Sequence, residues 1–205
     1  AGAVVETDDS DVPATRHFII ENEEVREISE EEYIELTTPK EIVIENTEDD
    51  QIMPLLDKFY SYTIKSSSTY YGTKTAVSPW TAYPTAPNAS KSYSTSSTHS
   101  RSLSATVTAK IRDSINASLN LSVGESCTSG KTSSAGANAP AKQGYYARIM
   151  FQQKMLSVTG TVKESIQYNN GWKDNVFDVK STYPVLLSNG IGNGIFSVEY
   201  SKTPY

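Results

Sequence analysis

The sequence predicts a mainly β protein, an elongated antiparallel β body with a small acidic α+β N-terminal segment. Three observations predict it. Short stretches along much of the chain alternate apolar and polar side chains; Ser, Thr, Tyr and Asn are abundant while hydrophobic residues make up only 37% of the 205; and Asn-Gly turn signals stand at Asn170-Gly171 and Asn189-Gly190. A strand turns successive side chains to opposite faces, so alternation over about 4–8 residues marks a half-buried strand. An Asn-Gly pair between two such runs marks the tight turn of a hairpin.

Charge divides the chain into two segments. Residues 1–58 carry 18 acidic against 4 basic side chains, a net charge of −14, whereas residues 59–205 carry 6 acidic against 14 basic, a net charge of +8. The first segment is an acidic leader, partly flexible, with short strands and one short helix; the second is the antiparallel body. Opposite charges of this size attract, which predicts that the leader lies along the body wherever it is ordered.

Within the leader, Ala1–Arg16 has little to bury and reads as loosely attached. His17–Ile20 and Val25–Ile28 read as paired strands around the polar turn Glu21–Glu24. Ser29 followed by Glu32 is a capping box, which predicts a helix over Glu30–Leu36, and Pro39 ends it because the residue before a proline is pushed out of the helical region. Glu41–Glu45 is a further short strand, Thr47–Asp50 an acidic hinge, and Ile52–Phe59 the link into the body.

In the body, Ser61–Lys65 and Ser68–Tyr71 alternate weakly, and Ser78–Pro87 holds three prolines with Trp80 and Tyr83, an ordered aromatic loop. Lys91–Arg101 is almost all Ser and Thr. Gly130–Gly136 is a loop of small residues, Tyr145–Met155 and Leu156–Tyr168 read as consecutive long strands, Trp172–Val179 returns from the Asn169-Asn170-Gly171 turn, and Ile195–Tyr200 is the last strand.

The most informative stretch is 103–123. Its odd positions are Leu, Ala, Val or Ile except for Asp113, and its even positions are Ser, Thr, Asn, Lys, Arg or Gly-flanking Ser. Extended, it has one apolar and one hydroxyl-rich face, and Asp113 divides it into Leu103–Ile111 and Ile115–Val123, each near the roughly 9–11 residues with which a tilted strand crosses a bilayer. This predicts an antiparallel hairpin turning at Arg112-Asp113-Ser114, with Leu103, Val107, Ile111, Ile115, Leu119 and Leu121 as candidates to face lipid. The same residues offer an ordinary strand pair with one face on a core. They also recur every four positions, as in an amphipathic helix, although Ser, Thr, Asn and β-branched residues are mediocre helix formers.

Other chemistry finds little support. His17 and His99 have no Cys or second His at ligand spacing and the acidic clusters lack the pattern of a calcium loop, so no metal is expected, and no cofactor motif is present. Gly124–Thr132 has five residues between its glycines where a phosphate-binding loop has four. The single Cys127 lies in a Ser-rich stretch without a partner base, and the body's acidic residues are only Asp113, Glu125, Glu164, Asp174, Asp178 and Glu199. The chain therefore reads as no enzyme. Its positive charge is spread without a dense cluster, which argues against nucleic acid. Trp80, Tyr83, Tyr93, Tyr168 and Trp172 are candidates for an aromatic binding platform or for sheet packing.

Residues 91–168 resemble the aerolysin and epsilon-toxin class of β-pore-forming proteins. The likeness rests on the Ser/Thr-rich Ser92–Arg101, the alternation Leu103–Val123, the Ser/Thr-rich return Ser126–Ser134, and Ala139-Pro140-Ala141-Lys142-Gln143-Gly144 ahead of the long strand Tyr145–Met155. The resemblance implies an amphipathic hairpin that unfolds to build an oligomeric barrel, hence a toxin-like protein that self-associates and has a membrane or a cell-surface receptor as partner. The start at Ala1 and the hydroxyl-rich composition, which has the texture of a secreted Gram-positive bacterial protein, predict a secreted, extracellular protein. The alternative expectation is a secreted surface, assembly or binding protein in which 103–123 is a permanent strand pair.

Overall fold

The computed structural model describes residues 11–43, 53–55, 58–82, 90–99, 101–129 and 144–203. The expected loose start up to Ser10, the acidic hinge Thr47–Asp50, Tyr83, the loop Gly130–Gly136 and the proline link Ala139–Gln143 lie outside the described residues. In chain order the elements are β1 (Arg16–Glu21), β2 (Glu24–Ile28), α1 (Glu30–Thr37), β3 (Lys40–Val43), β4 (Met53–Leu55), β5 (Lys58–Tyr71), β6 (Thr75–Ala76), β7 (Thr81–Ala82) and β8 (Lys91–Ser94). They continue with α2 (Ala105–Leu119), β9 (Ser126–Ser129), β10 (Tyr146–Tyr168), β11 (Gly171–Pro184), β12 (Ile191–Gly192) and β13 (Gly194–Ser201). The protein is mainly β, as its alternation predicts.

β10 is the spine. It runs 23 residues, about 75 Å at ~3.3 Å per residue, because nothing between Met155 and Leu156 interrupts extension; the two strands expected there are one. Along Tyr146–Gln153 it pairs with β13, and along Met155–Tyr168 with β11, while its opposite edge pairs with β5 and with the short β6 and β7. The two weak runs Ser61–Lys65 and Ser68–Tyr71 likewise merge into β5, whose register against β10 skips Lys65: Thr159 faces Ser66 and Gly160 faces Ile64. Such a bulge bends a strand without ending it.

At one end of this sheet β1 inserts between β2 and β13, so the Phe18-Ile19-Ile20 strand finds its partner in the last strand of the chain. Strand pairing and apolar packing hold the segment there: Phe18 joins Ile149, Phe151, Phe196 and Val198, and Ile19 and Ile28 join Ile195 under Tyr33 and Leu36 of α1. Among the described residues the ion pairs of its acidic side chains run within the segment, Arg16 to Glu27 and Arg26 to Glu21 and Glu32, rather than to the basic body. The Ser29 half of the capping box forms, Ser29 Oγ accepting the Glu32 amide at 3.1 Å, while the Glu32 carboxylate turns to Arg26 at 2.7 Å.

The segment 103–123 departs from the hairpin that its alternation predicts. Ala105–Leu119 is one continuous helix running through Arg112-Asp113-Ser114. The physical reason is that a period of four is contained in a period of two: Leu103, Val107, Ile111, Ile115 and Leu119 are all odd positions, and on a helix they form one stripe. Ala105, Ala109 and Ala117, which would bury little on a strand face, are the strongest of helix formers. A helix also completes its backbone hydrogen bonds internally, whereas an extended hairpin here would add two strands in search of partners.

α2 lies on the face of the β5–β10–β11 sheet made by even-numbered residues of β5 and β10 and odd-numbered residues of β11, where Val107, Ile111 and Ile115 join Tyr62, Ile64, Leu156, Val158, Val162, Val179 and Tyr183 in the largest buried cluster. Gly160 belongs to this face. A Cβ there would stand 2.5 Å from the Tyr62 ring, so the missing side chain is what lets Tyr62 lie flat across β10 beneath the helix. Gly160→Ala should lower the free energy of unfolding by about 1–3 kcal/mol, the usual range for overpacking, measured by urea denaturation followed by tyrosine near-ultraviolet dichroism.

Candidate functional site

The seat of α2 brings all six proposed lipid-facing side chains together, turned inward. Val107, Ile111 and Ile115 are buried, Ile115 completely, and Leu103, Leu119 and Leu121 pack half-buried against the same cluster. In this state they are core residues and not a membrane surface. Burying a side chain of this kind contributes roughly 1.5–3 kcal/mol, so these residues decide where the helix sits.

Local sequence sets its ends. Ser104, extended at φ −68° and ψ 155°, caps the helix by accepting the Val107 amide at 3.4 Å. At the other end Asn120 takes the left-handed conformation with φ of 50°, which Asn tolerates better than most residues, and Asn116 Oδ1 accepts the Val123 amide at 3.0 Å, folding the chain back toward β9. Two charged contacts strap the segment down. Arg101 lies 4.0 Å over the Phe177 ring and 3.7 Å from buried Glu164, which also accepts a 2.9 Å hydrogen bond from the Tyr60 hydroxyl. Arg112 reaches Glu125 at 3.7 Å.

The floor beneath the helix is not wholly apolar. The hydroxyls of Tyr62, Tyr183 and Ser181 are buried without a hydrogen-bond partner among the described residues, and burial raises the pKa of Tyr62 with Tyr183 beside it. A buried polar group left unpaired costs about 1–3 kcal/mol that water would restore. The helix is thus held by strong apolar contacts over a floor that gains hydration when uncovered.

β8 and β9, the Ser/Thr-rich strands on either side of the segment, are themselves an antiparallel pair, with Lys91 opposite Ser129 and Ser94 opposite Ser126. The Thr95 amide extends this pairing to the Glu125 carbonyl at 3.3 Å. Odd residues therefore face odd residues at the base of the segment.

The aromatic candidates do not form one platform. Trp80 lies under the Arg148 guanidinium at 4.5 Å, Tyr93 packs on Phe151 with ring centres 5.9 Å apart, and Tyr168 stands half exposed at the end of β10. Trp172, also half exposed, pairs with Phe59 at 4.9 Å. Phe59, Lys163, Ser165 and Asp174 around it were not legible as a set, because β5 meets β10 here across more than a hundred residues of chain. One part was within reach: the two-residue turn Asn169-Asn170 sets Tyr168 opposite Gly171 and so Ser165 opposite Asp174.

His17, which showed no partner in sequence, is buried between α1 and β13. Its Nδ1 lies 2.7 Å from Ser197 Oγ, its Nε2 lies 3.0 Å from Glu30 Oε2, and its ring stacks on Tyr33 at 3.7 Å. The trio has the residue types of a catalytic relay, but Ser197 is 1% exposed and closed to any substrate. It acts as a clamp between the N-terminal segment and the last strand. Among the described residues no group of three or more His, Cys, Asp or Glu side chains could hold a metal ion. No family model, curated protein or solved structure matches the chain.

Burial lowers the His17 pKa below its usual 6.5, outweighing the pull of Glu30, and burial lowers that of His99 as well. A folded-state pKa below the unfolded value means that the unfolded chain binds more protons, so stability is full above the unfolded pKa and falls as pH drops through it. The melting temperature should hold steady above about pH 7.5 and decline below pH ~6.5, before the carboxylates titrate. His17→Gln should flatten that decline in part, His99 supplying the remainder, as followed by thermal melts across pH.

Proposed function

We propose that the protein is a secreted, non-catalytic, membrane-acting pore former of the aerolysin and epsilon-toxin type, and that α2 is the stored form of its membrane-inserting hairpin. The observation that carries this reading is the conflict between pattern and conformation in 103–123. A permanent helix has no use for polar residues at every even position, yet the alternation runs on through both flanks of the helix. Departures from local consistency of this kind are where function is sought.

The β8–β9 register supports the reading. Continued upward, it sets Leu103 opposite Ala117, Ala105 opposite Ile115, Val107 opposite Asp113 and Thr108 opposite Arg112, with a three-residue turn over Ala109, Lys110 and Ile111. Directly opposed residues share a face, so every apolar odd residue falls on one side and the Ser, Thr and Asn residues fall on the other. Arg101–Thr108 and Arg112–Leu119 form two arms of about eight residues each, close to the bilayer-crossing length. Asp113 is the one acidic side chain on the apolar face, next to the charged tip Lys110–Arg112. A lone hairpin would leave its strand edges unpaired in lipid, so several chains must contribute to a closed barrel.

Ala105, Ala117 and Ser118 separate the two states, because all three are exposed on the helix. In the hairpin Ala105 and Ala117 turn to lipid while Ser118 turns to water. Ala105→Arg should therefore leave the soluble fold and its melting temperature unchanged but abolish calcein release from liposomes, since Ala105 is mid-arm in the hairpin and Arg near the bilayer middle costs about 2–4 kcal/mol per chain. Ser118→Arg should keep release and detergent-resistant oligomers. Release that survives Ala105→Arg, or none by the unmodified protein on any vesicle or cell tested, would leave a surface or assembly protein with a permanently seated helix.

A further inference from the structure

On the face of the sheet opposite α2, near the β10–β11 turn, is an open cleft of about 460 Å³ lined by Phe59, Ser61, Lys163, Ser165, Trp172 and Asp174, with Tyr60 at its side. Strand register puts these residues side by side: Ser165 lies between Phe59 and Asp174, and Lys163 is opposite Ser61. The cleft falls within the range of about 300–1,000 Å³ typical of small-ligand sites. Phe59 and Trp172 form a tilted aromatic pair, and Trp172, 51% exposed, presents its ring to the cleft.

The polar groups are fixed beside the rings. Ser165 Oγ donates to Asp174 Oδ1 at 2.6 Å and Lys163 Nζ donates to Oδ2 at 3.0 Å. These contacts hold the Asp174 pKa below the usual carboxylate range, so the group accepts hydrogen bonds at any pH near neutrality. Each Asp174 oxygen keeps a free lone pair, and Lys163 keeps further N–H donors. The lining therefore offers an apolar ring surface, an ionised acceptor and a donor, with its charges already neutralised against each other.

We propose that this cleft binds a neutral pyranose of a surface glycan. A sugar ring presents C–H groups on one face and hydroxyls around its edge, and here the Trp172–Phe59 pair takes the face while Asp174 and Lys163 take the hydroxyls. A phosphate or sialic-type anion would meet Asp174 at once. A quaternary ammonium group would find its carboxylate already paired with Lys163 and only two rings where an aromatic cage is needed. The site is on the opposite face from α2 and does not depend on the membrane reading.

The test is titration calorimetry of the full chain with glucose-, galactose- and N-acetylglucosamine-terminated neutral oligosaccharides, and with phosphatidylcholine vesicles in parallel. At least one neutral series should bind. Trp172→Ala and Asp174→Asn should each weaken that binding about tenfold or more, while the exposed Val176→Ala on the same strand should leave it unchanged. Both altered side chains are about half exposed, and equal melting temperatures of the variants confirm that the fold is retained. No binding across the sugar panel, sugar binding indifferent to Trp172 and Asp174, or Trp172-dependent binding of phosphatidylcholine without any sugar would each overturn the proposal.

Discussion

The backbone hydrogen bonds of β10 are what the rest of the structure hangs on. One strand of 23 residues serves two neighbourhoods, giving its N-terminal half to β13 and its C-terminal half to β5 and β11. The core beneath α1 and the core beneath α2 are tied through that strand. Its constraint is continuity: extension must persist through Gln153 and Lys154, where the side-chain amide of Gln153 donates to the carbonyls of Lys154 and Val185 at 2.8 Å and fastens the return of the chain between β11 and β13.

Against that fixed sheet, α2 is an element held mainly by side chains. Its helix is closed on itself and owes the sheet no backbone hydrogen bonds, whereas β10 owes it nearly all. The contrast matters energetically, since peeling off a strand breaks a ladder but lifting a helix exposes only an apolar stripe. The buried hydroxyls of Tyr62, Tyr183 and Ser181 lower that barrier further, because uncovering them restores their hydration. A segment designed only for permanence would be expected to sit on a drier floor.

Local signals were the legible ones. The helix start capped by Ser29, the stop before Pro39, the Asn169-Asn170-Gly171 turn and the last strand are decided by a few adjacent residues, and each appears within a residue or two of its predicted bounds. The strand merges in β5 and β10 were illegible because what joins them is the presence of neighbours along their whole length. The helix over Ala105–Leu119 was misread because its stripe hides inside the alternation; the Ser104 cap and the alanines were the signals that favoured it. The cleft around Trp172 depends on a pairing between β5 and β10 that no local pattern contains, so only its β10–β11 half could have been drawn from the turn.

β11 pairs with β10 on one side, and among the described residues no strand pairs with its other edge over Gly171–Lys180. Bare strand edges invite a second chain to zip on, and a sheet this long would grow into a filament. The edge instead carries Lys173, Asp174, Asp178 and Lys180, two of them already engaged by Lys163 and Lys65 across the sheet. Any incoming strand must strip water from that mixed row of charge before it gains a single backbone bond. Asp174, which shapes the cleft, is thus also part of a charged row of the kind that discourages edge-to-edge pairing.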